Sequence, residues 1–224
     1  IAPTATSNNV TGTLDTSSMY VNPADAAAYF RVRKGKSIIS PDKKLSYSEN
    51  FLKMMLGKVP EKEIVKAFDV SMILYAEHSF NVSTFTARTI TSSLSDLHGA
   101  ITGAIASLKG PLHGGANEEV MHMMNKIKKP ENALKWIKNA LKNKEVVMGF
   151  GHRVYKSGDS RVPTMKEYFK KVCKIKKDKK FLKIYEIVEK EMVDKKNIHP
   201  NVDYPTGPTY HLMGLIQISL HLYL

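Results

Sequence analysis

The chain has 224 residues, of which 42% are hydrophobic and 25% are charged, and this ordinary globular composition excludes an intrinsically disordered protein. Cys173 is the one cysteine, which excludes a disulfide framework and a cysteine-based metal cluster. No apolar run reaches the roughly 18 residues of a membrane span, so we expect no membrane partner. The low cysteine content and the lack of a secretion signal favour the cytoplasm, with the mitochondrial matrix as the alternative.

The formal net charge of +13 comes entirely from one segment of the chain. Residues 126–196 hold 22 Lys and Arg against 9 Asp and Glu, whereas the remaining residues hold 12 of each. A positive field of this kind attracts nucleic acid, anionic lipid or a polyphosphate ligand. Lysine-rich stretches such as 174–180 are more often solvated helix faces, so charge alone leaves these alternatives open.

The first part of the chain predicts a linker followed by a helix. Residues 1–22 are rich in Ser, Thr and Asn and have no apolar period, which indicates a loop or linker. Pro60, with Glu61 and Glu63 just after it, is typical of a helix start. The predicted buried face of this helix comprises Ile64, Phe68, Met72 and Tyr75.

A second, longer helix is predicted from an apolar period that continues to residue 108. Its apolar residues recur at steps of three or four and are Ile90, Leu94, Leu97, Ile101, Ala104 and Leu108. Small Ser, Gly and Ala residues lie between them and would let a neighbouring helix approach closely. We therefore expect a single central core or interface helix, which ends at Gly110-Pro111.

The rest of the chain also predicts helices. Asn117 is a candidate N-cap for a helix with Glu118 and Glu119 in its first turn. Two further helices are indicated by Leu134, Ile137 and Leu141, and by Phe181 or Leu182 with Tyr185, Val188 and Met192. Only Val146–Phe150 resembles a strand, and strands do not alternate with helices, so the predicted fold class is all-α.

Histidine, glycine and charged residues concentrate in four loops at the predicted helix junctions. These loops are Glu77–Ser79, Gly110–Ala116, Gly149–Arg153 and His199–Asp203. Histidine is the most frequent general acid or base near neutral pH, and flanking glycines allow close backbone approach to a ligand. The spacing matches neither a zinc-binding His-Glu-x-x-His motif nor a P-loop, so we predict no metal site. Spacing alone leaves open whether these histidines converge on one site or are packed separately.

Three motifs together resemble the citrate synthase family. They are Gly110-Pro-Leu-His-Gly-Gly-Ala-Asn117, Met148-Gly-Phe-Gly-His-Arg-Val-Tyr155 and Pro200-Asn-Val-Asp203, in the order in which that family carries them. The similarity extends from about Ala24 to Gly214. Segments 156–165 and 204–213 look most similar to the bacterial branch of 2-methylcitrate synthases and citrate synthases.

The resemblance implies an all-helical homodimer in which each chain has a large and a small helical domain. On this chain, residues 23–116 and 199–224 would belong to the large domain and residues 117–198 to the small domain, with the family fold truncated at both ends. The implied reaction joins acetyl-CoA or propionyl-CoA to oxaloacetate and hydrolyses the thioester, giving citrate or 2-methylcitrate plus CoA. No metal and no permanently bound cofactor is implied, since the acyl-CoA is a co-substrate.

The resemblance also implies roles for individual residues. The catalytic residues would be His113, His152 and Asp203. The oxaloacetate-binding residues would be His78 and Arg161, and the CoA-binding residues would be Lys156, Val147, Gly149 and Gly151. Because the α-proton of a thioester is a very weak acid, Asp203 would remove it while His113 hydrogen-bonds the developing enolate oxygen. His152 would then donate to the ketone oxygen of oxaloacetate as the enol carbon attacks.

Two alternatives stay open from the sequence: an inactive truncated homologue, and a basic helical nucleic-acid-binding module. The family carries further oxaloacetate-binding arginines after the position of residue 214, and residues 215–224 contain none, so we expect little or no turnover from the isolated chain. Nucleic-acid recognition favours exposed Arg and aromatic residues, whereas residues 126–196 are dominated by Lys and contain only Arg153 and Arg161. We therefore expect no nucleic-acid partner.

Overall fold

The computed structural model describes residues 23–76, 81–152, 155 and 157–215, and its regular structure within these ranges is entirely helical. The helices are α1 (Pro23–Arg33), α2 (Tyr47–Leu56), α3 (Lys62–Ala76), α4 (Val82–Ser92), α5 (Leu97–Leu108), α6 (Ala116–Ile127), α7 (Pro130–Lys142), α8 (Val162–Ile175), α9 (Lys180–Lys196) and α10 (Asp203–Met213). The all-α prediction is therefore confirmed. Within the same ranges, no helix is both long enough and apolar enough to cross a membrane.

The strand predicted over Val146–Phe150 is wrong. Phe150 forms one isolated antiparallel bridge with Pro200, and the glycines on either side of it, Gly149 and Gly151, have φ values of +83° and +79°. Extended strands require negative φ, so these two residues turn the segment into a loop. The loop lies against the segment that precedes α10.

One hydrophobic core is formed mainly by α6, α7 and α9. Its fully buried residues include Met121 and Met124 of α6, Ile137 of α7 and Ile184 of α9. Two aromatic rings extend this core towards α10, since Tyr185 and Tyr204 stack with their centroids 4.4 Å apart. The Tyr204 hydroxyl donates to the backbone oxygen of Tyr185 at 3.0 Å, which satisfies a polar group in an otherwise apolar core.

A second hydrophobic core is formed by α1, α2 and α3 against α8 and α10. Phe51 and Phe68 stack at its centre with ring centroids 5.1 Å apart. The helix predicted from Pro60 is confirmed as α3, which buries Ile64 and Phe68. At the far side of this core, the hydroxyls of Ser71 and Tyr210 lie 2.7 Å apart, which joins α3 to α10.

Helices α8 and α10 contribute side chains to both cores. On α8, Phe169 belongs to the first core and Val172 to the second; on α10, Tyr204 belongs to the first and Tyr210 to the second. Both helices are thereby fixed on two sides. A loop that leads into either helix is consequently held at a defined position, and the candidate site is built on these two loops.

The single helix predicted through Ile90 to Leu108 is wrong, because the structure has two helices there, α4 and α5. They are joined by a turn in which Leu94 has a φ of +61° and Asp96 caps α5 by accepting a hydrogen bond from Gly99 N at 2.7 Å. The apolar period continues across this turn, which is why it predicts one helix. The two helices pack against each other. Their apolar outer face is exposed and does not form a central core.

The predicted N-cap of α6 is also wrong. The helix begins at Ala116 with Gly115 in the cap position, so Asn117 lies inside the first turn. Asn117 is fully buried, and its backbone oxygen lies 2.5 Å from where a Cβ on Gly207 would be. This close approach of α6 to α10 requires glycine at position 207.

Candidate functional site

The Asp159 carboxylate connects the loop before α8 to the turn before α10. Its two oxygens accept hydrogen bonds from Arg161 Nε at 2.9 Å and from Arg161 Nη2 at 2.8 Å. The same carboxylate accepts from the backbone N–H groups of Arg161 and Val202, each at 3.0 Å. The Asp159 side chain is fully buried, and burial alone raises the pKa of its carboxyl. The four hydrogen bonds and the positive charge of Arg161 lower this pKa by more, so it lies below its ordinary value. Asp159 therefore holds Arg161 by the guanidinium edge that carries Nε and Nη2. The remaining nitrogen, Nη1, lies away from this edge.

Asp203 is the first residue of α10 and lies beside this ion pair. Its Oδ1 accepts a hydrogen bond of 2.6 Å from the hydroxyl of Tyr75, near the end of α3. Burial raises the pKa of Asp203 to about 6 despite the opposing effects of Tyr75 and Arg161, and the nearby charge of Asp159 raises it further. A carboxyl with this pKa is ionised at neutral pH and is a stronger base than an ordinary aspartate.

His152 joins the same cluster from the loop that follows Gly151. Its ring packs on the Tyr155 ring with centroids 4.8 Å apart, and the Arg161 guanidinium lies 5.7 Å from the Tyr155 ring centroid. The backbone N–H of Tyr155 donates to His152 Nδ1 at 3.3 Å, which places the proton of the neutral ring on Nε2. The pKa of His152 is lowered, first by burial and then by the charge of Arg161, so the ring is neutral at neutral pH.

The side-chain hydrogen bonds of His113 in the described part of the chain run to Ser83, in the first turn of α4. The backbone N–H of Ser83 donates to His113 Nε2 at 3.2 Å, and the Ser83 hydroxyl lies 2.9 Å from the same nitrogen. Because a backbone N–H can only donate, Nε2 is the acceptor and the neutral ring carries its proton on Nδ1. Burial lowers the pKa of His113, which keeps this neutral form at neutral pH. Nδ1 is thus a fixed hydrogen-bond donor.

The loop with Gly149 and Gly151 is held against residues 199–201. Asn201 N donates to Gly149 O at 2.9 Å, and Gly151 N donates to His199 O at 2.9 Å. A Cβ on Gly149 would lie only 2.8 Å from Val120 and from Tyr204, so only glycine fits between α6 and α10. This packing fixes the loop in a single position relative to Asp203.

Beside this loop lies an open cavity of about 380 Å³. Its apolar lining includes Val147, Phe150, Met192 and Ile198. The exposed Lys144, Glu145 and Lys196 line it as well, so the cavity combines apolar walls with two positive charges and one negative charge. This combination suits a flat apolar group that carries phosphates.

The structure thus brings His152, Arg161 and Asp203 together, and it brings His113 to Ser83. His78 and Lys156 lie outside the described residues. Sequence reasoning missed Asp159, although its spacing of two residues from Arg161 is a typical Asx-type contact. The sequence placed Tyr75 on the buried face of its helix but gave no sign of its hydrogen bond to Asp203.

Comparison with known proteins agrees with these motifs. The family model described as citrate synthase, C-terminal domain, matches residues 8–220. The chain belongs to the citrate synthase family. A 2-methylcitrate synthase from Mycobacterium tuberculosis is 53% identical over 196 residues, which cover 88% of this chain and 50% of that protein. The 2-methylcitrate synthase 2 of Corynebacterium glutamicum is 54% identical over 197 residues, covering 86% of this chain and 51% of its own length.

Solved citrate synthase structures share the fold. The enzyme from Thermotoga maritima superimposes with a TM-score of 0.78 at 39% identity, covering 90% of this chain and 56% of that one. The Thermoplasma acidophilum citrate synthase, in a ternary complex with carboxymethyl coenzyme A and oxaloacetate, gives a TM-score of 0.80 at 34% identity. That match covers 90% of this chain and 55% of the other. The chain therefore spans about half the length of the citrate synthase relatives it matches.

The raised pKa of Asp203 predicts that Asp203→Asn stabilises the fold at high pH. Between pH 3.8 and about 6 the folded chain retains a proton that the unfolded chain has released, so stability is lost as pH rises through this window. Asparagine keeps an acceptor for Tyr75 and has no charge to desolvate. We expect the variant to exceed the wild type by about 1–2 kcal/mol in the free energy of unfolding at pH 8.

Urea unfolding at a series of pH values measures this difference, which should shrink as pH falls from 6 to 4. Asp194→Asn, at an exposed position on α9, is the matched control and should change stability little at any pH. A constant difference between Asp203→Asn and the wild type at all pH values would contradict the prediction.

Proposed function

We propose that this chain supplies the catalytic residues of an acyltransferase that condenses oxaloacetate with propionyl-CoA or acetyl-CoA. The reaction then hydrolyses the thioester and releases 2-methylcitrate or citrate plus CoA. Membership of the citrate synthase family supports this proposal, as do the names of the relatives, which include both kinds of synthase. The cluster of Asp203, Arg161 and His152 is the observation that carries it. Family membership gives no support to a nucleic-acid-binding function.

The first step is removal of the α-proton from the acyl-CoA. Asp203 is the base, because its raised pKa makes it more basic than an ordinary aspartate while it remains ionised at neutral pH. His113 donates from Nδ1 to the thioester oxygen as negative charge develops there. Ser83 fixes the tautomer that this requires, and a neutral donor oriented in advance lowers the barrier without itself being reorganised.

The second step is attack of the enol carbon on the ketone of oxaloacetate. Arg161 binds the dianion with the edge of its guanidinium that Asp159 does not occupy, and His78 is the second oxaloacetate-binding residue. His152 donates from Nε2 to the ketone oxygen as it becomes an alkoxide. Holding both substrates in line removes much of the entropic cost of a bimolecular reaction. No metal and no permanently bound cofactor enters these steps.

The CoA moiety is assigned to the cavity beside the glycine loop. Val147 lines this cavity, Gly149 and Gly151 belong to the loop beside it, and all three are proposed CoA-binding residues. Lys156 is the proposed partner of the CoA phosphates. The exposed Lys144 and Lys196 would attract the negatively charged CoA phosphates, so CoA binding accounts for part of the positive charge of residues 126–196. The small domain over residues 117–198 carries these lysines and closes on the large domain over residues 23–116 and 199–224.

The bacterial relatives favour the cytoplasm over the mitochondrial matrix as the place of action.

Thiol release in the presence of oxaloacetate tests the reaction. We expect the isolated chain to release CoA slowly, and His113→Ala to reduce that rate by about 100-fold or more, because the enolate loses its donor. His122→Ala is the matched control, since this histidine is exposed on α6 and should not affect the rate. The ratio of the rates with propionyl-CoA and acetyl-CoA assigns the preferred substrate. A rate that His113→Ala leaves unchanged would contradict the proposal.

We also propose that the exposed face of the α4–α5 hairpin forms a homodimer interface. Phe85 is 61% exposed, Leu94 is 95% exposed, and Ile101 and Ile105 are about 40% exposed, although all are large apolar residues. An apolar face of this kind on one hairpin is typical of a protein–protein contact. Family membership and the self-packing of α4 and α5 support a second copy of the chain as the partner.

Ile101→Glu should convert the dimer to a monomer, since it places a charge in the proposed apolar interface. Sedimentation equilibrium measures the change in mass. Leu134→Glu is the control, because Leu134 is a similarly exposed apolar residue on α7, at 42% against 38% for Ile101. A monomeric wild type, or a dimer that survives Ile101→Glu, would contradict this interface.

A further inference from the structure

The hydroxyl of Tyr75 makes the short hydrogen bond to Asp203 described above, and the reaction steps give it no role. Tyr75 lies on α3, one residue before the end of the helix, whereas Asp203 begins α10. The 2.6 Å bond reaches Oδ1 and connects residues 128 positions apart in sequence. The ring of Tyr75 leaves the apolar face that buries Ile64 and Phe68 and points its hydroxyl at the carboxylate instead. Packing of α3 against α10 does not require this hydrogen bond, so the contact between Tyr75 and Asp203 indicates a role for the Tyr75 hydroxyl.

We propose that Tyr75 is a positioning residue that holds the Asp203 carboxylate by Oδ1 and leaves Oδ2 to take the substrate proton. This inference rests on the proposed function, since it assigns Asp203 as the base. A carboxylate without such a partner rotates about χ2 among several orientations. A hydrogen bond from a fixed helix selects one of them, which aligns Oδ2 before the substrate binds.

Tyr75 remains a hydrogen-bond donor to Asp203 throughout the pH range in which Asp203 is ionised. Burial and the charge of Asp203 hold the pKa of the Tyr75 hydroxyl well above 10, so it keeps its proton whenever Asp203 is ionised. Within the described residues, the other titratable or charged groups that face Asp203 are Arg161 and Asp159 from the loop before α8, and Tyr210 from α10. Among these groups, Arg161 and Tyr75 lower the pKa of Asp203, whereas Asp159 raises it. Loss of the Tyr75 hydroxyl therefore removes a group that favours the ionised form of Asp203.

Tyr75→Phe tests this role, because it keeps the ring and removes only the hydroxyl. We expect the pKa of Asp203 to rise by about one pH unit, which is the size expected for the loss of one hydrogen bond to a charged group. Titration of ¹³C-labelled aspartate carboxyls by NMR measures this directly and needs no turnover, so it works on the chain even if turnover is slow. Asp203→Asn identifies the resonance.

Tyr210→Phe is the matched control. It removes the hydroxyl of another buried tyrosine in the same helix contact, whose partner is Ser71. It should leave the Asp203 resonance unchanged. The same titration of the wild type and both variants therefore separates loss of the specific bond from general loosening of α3 against α10.

The kinetic counterpart is the pH dependence of kcat for thiol release. The acidic limb of the Tyr75→Phe profile should shift upward by about one pH unit, which is roughly a tenfold lower kcat near pH 5.5 and little difference near pH 8. KM should change less than kcat, since Tyr75 contacts the base and not the substrate. A residue that only supported the fold would lower kcat equally at every pH.

The two proposals fail in different ways. If Tyr75→Phe leaves both the Asp203 titration and the acidic limb where they are in the wild type, the positioning role is overturned while the reaction stands. If the Asp203 resonance shifts as expected but no variant or wild-type chain releases thiol, the contact is supported and the proposed reaction is not. A shift in Tyr210→Phe equal to that in Tyr75→Phe would also overturn the specific role of Tyr75.

Discussion

The Asp159 carboxylate accepts hydrogen bonds from two separate loops, and the geometry of the candidate site depends on it. It holds the Nε and Nη2 edge of Arg161 on the loop before α8 and the backbone of Val202 on the turn before α10. A fully buried carboxylate without these partners would be strongly unfavourable, so the two loops cannot move apart while it stays ionised. Arg161 and Asp203 are thereby fixed relative to each other, each at the start of a helix that belongs to both hydrophobic cores.

Opposing effects act on Asp203 within this fixed frame. Burial and the charge of Asp159 make its carboxyl harder to ionise, whereas Tyr75 and Arg161 make ionisation easier. A base needs such a balance, since an unperturbed aspartate is too weak and a fully desolvated one would stay protonated at neutral pH. The two histidines follow a related principle, because each has its tautomer set by one backbone N–H. Under the proposed function, the fold thus prepares a base and two neutral donors before any ligand binds.

The sequence predicted the helical class and named three residues that the structure brings together, His152, Arg161 and Asp203, and it failed where the outcome depended on distant residues. Periodicity correctly gave α3 and α9, since each buries a regular apolar stripe. It merged α4 with α5, because the apolar spacing continues through the turn at Leu94. It placed Tyr75 on the buried face of α3 but missed the bond to Asp203, because a helical period does not show which side chain 128 positions away a residue will contact. The family resemblance singled out Arg161 and Asp203, whereas the Asp159 contact to Val202 required the tertiary structure.

Calorimetry of oxaloacetate binding tests most directly whether Asp159 organises this site. The measurement compares the wild-type chain with Asp159→Asn, and uses Glu167→Gln as a control that breaks only the exposed Lys171 ion pair on α8. We predict that the wild type and Glu167→Gln bind equally, and that Asp159→Asn binds at least about tenfold more weakly while circular dichroism shows the helices retained. Equal binding by Asp159→Asn and the wild type, or no binding by the wild type, would contradict this account.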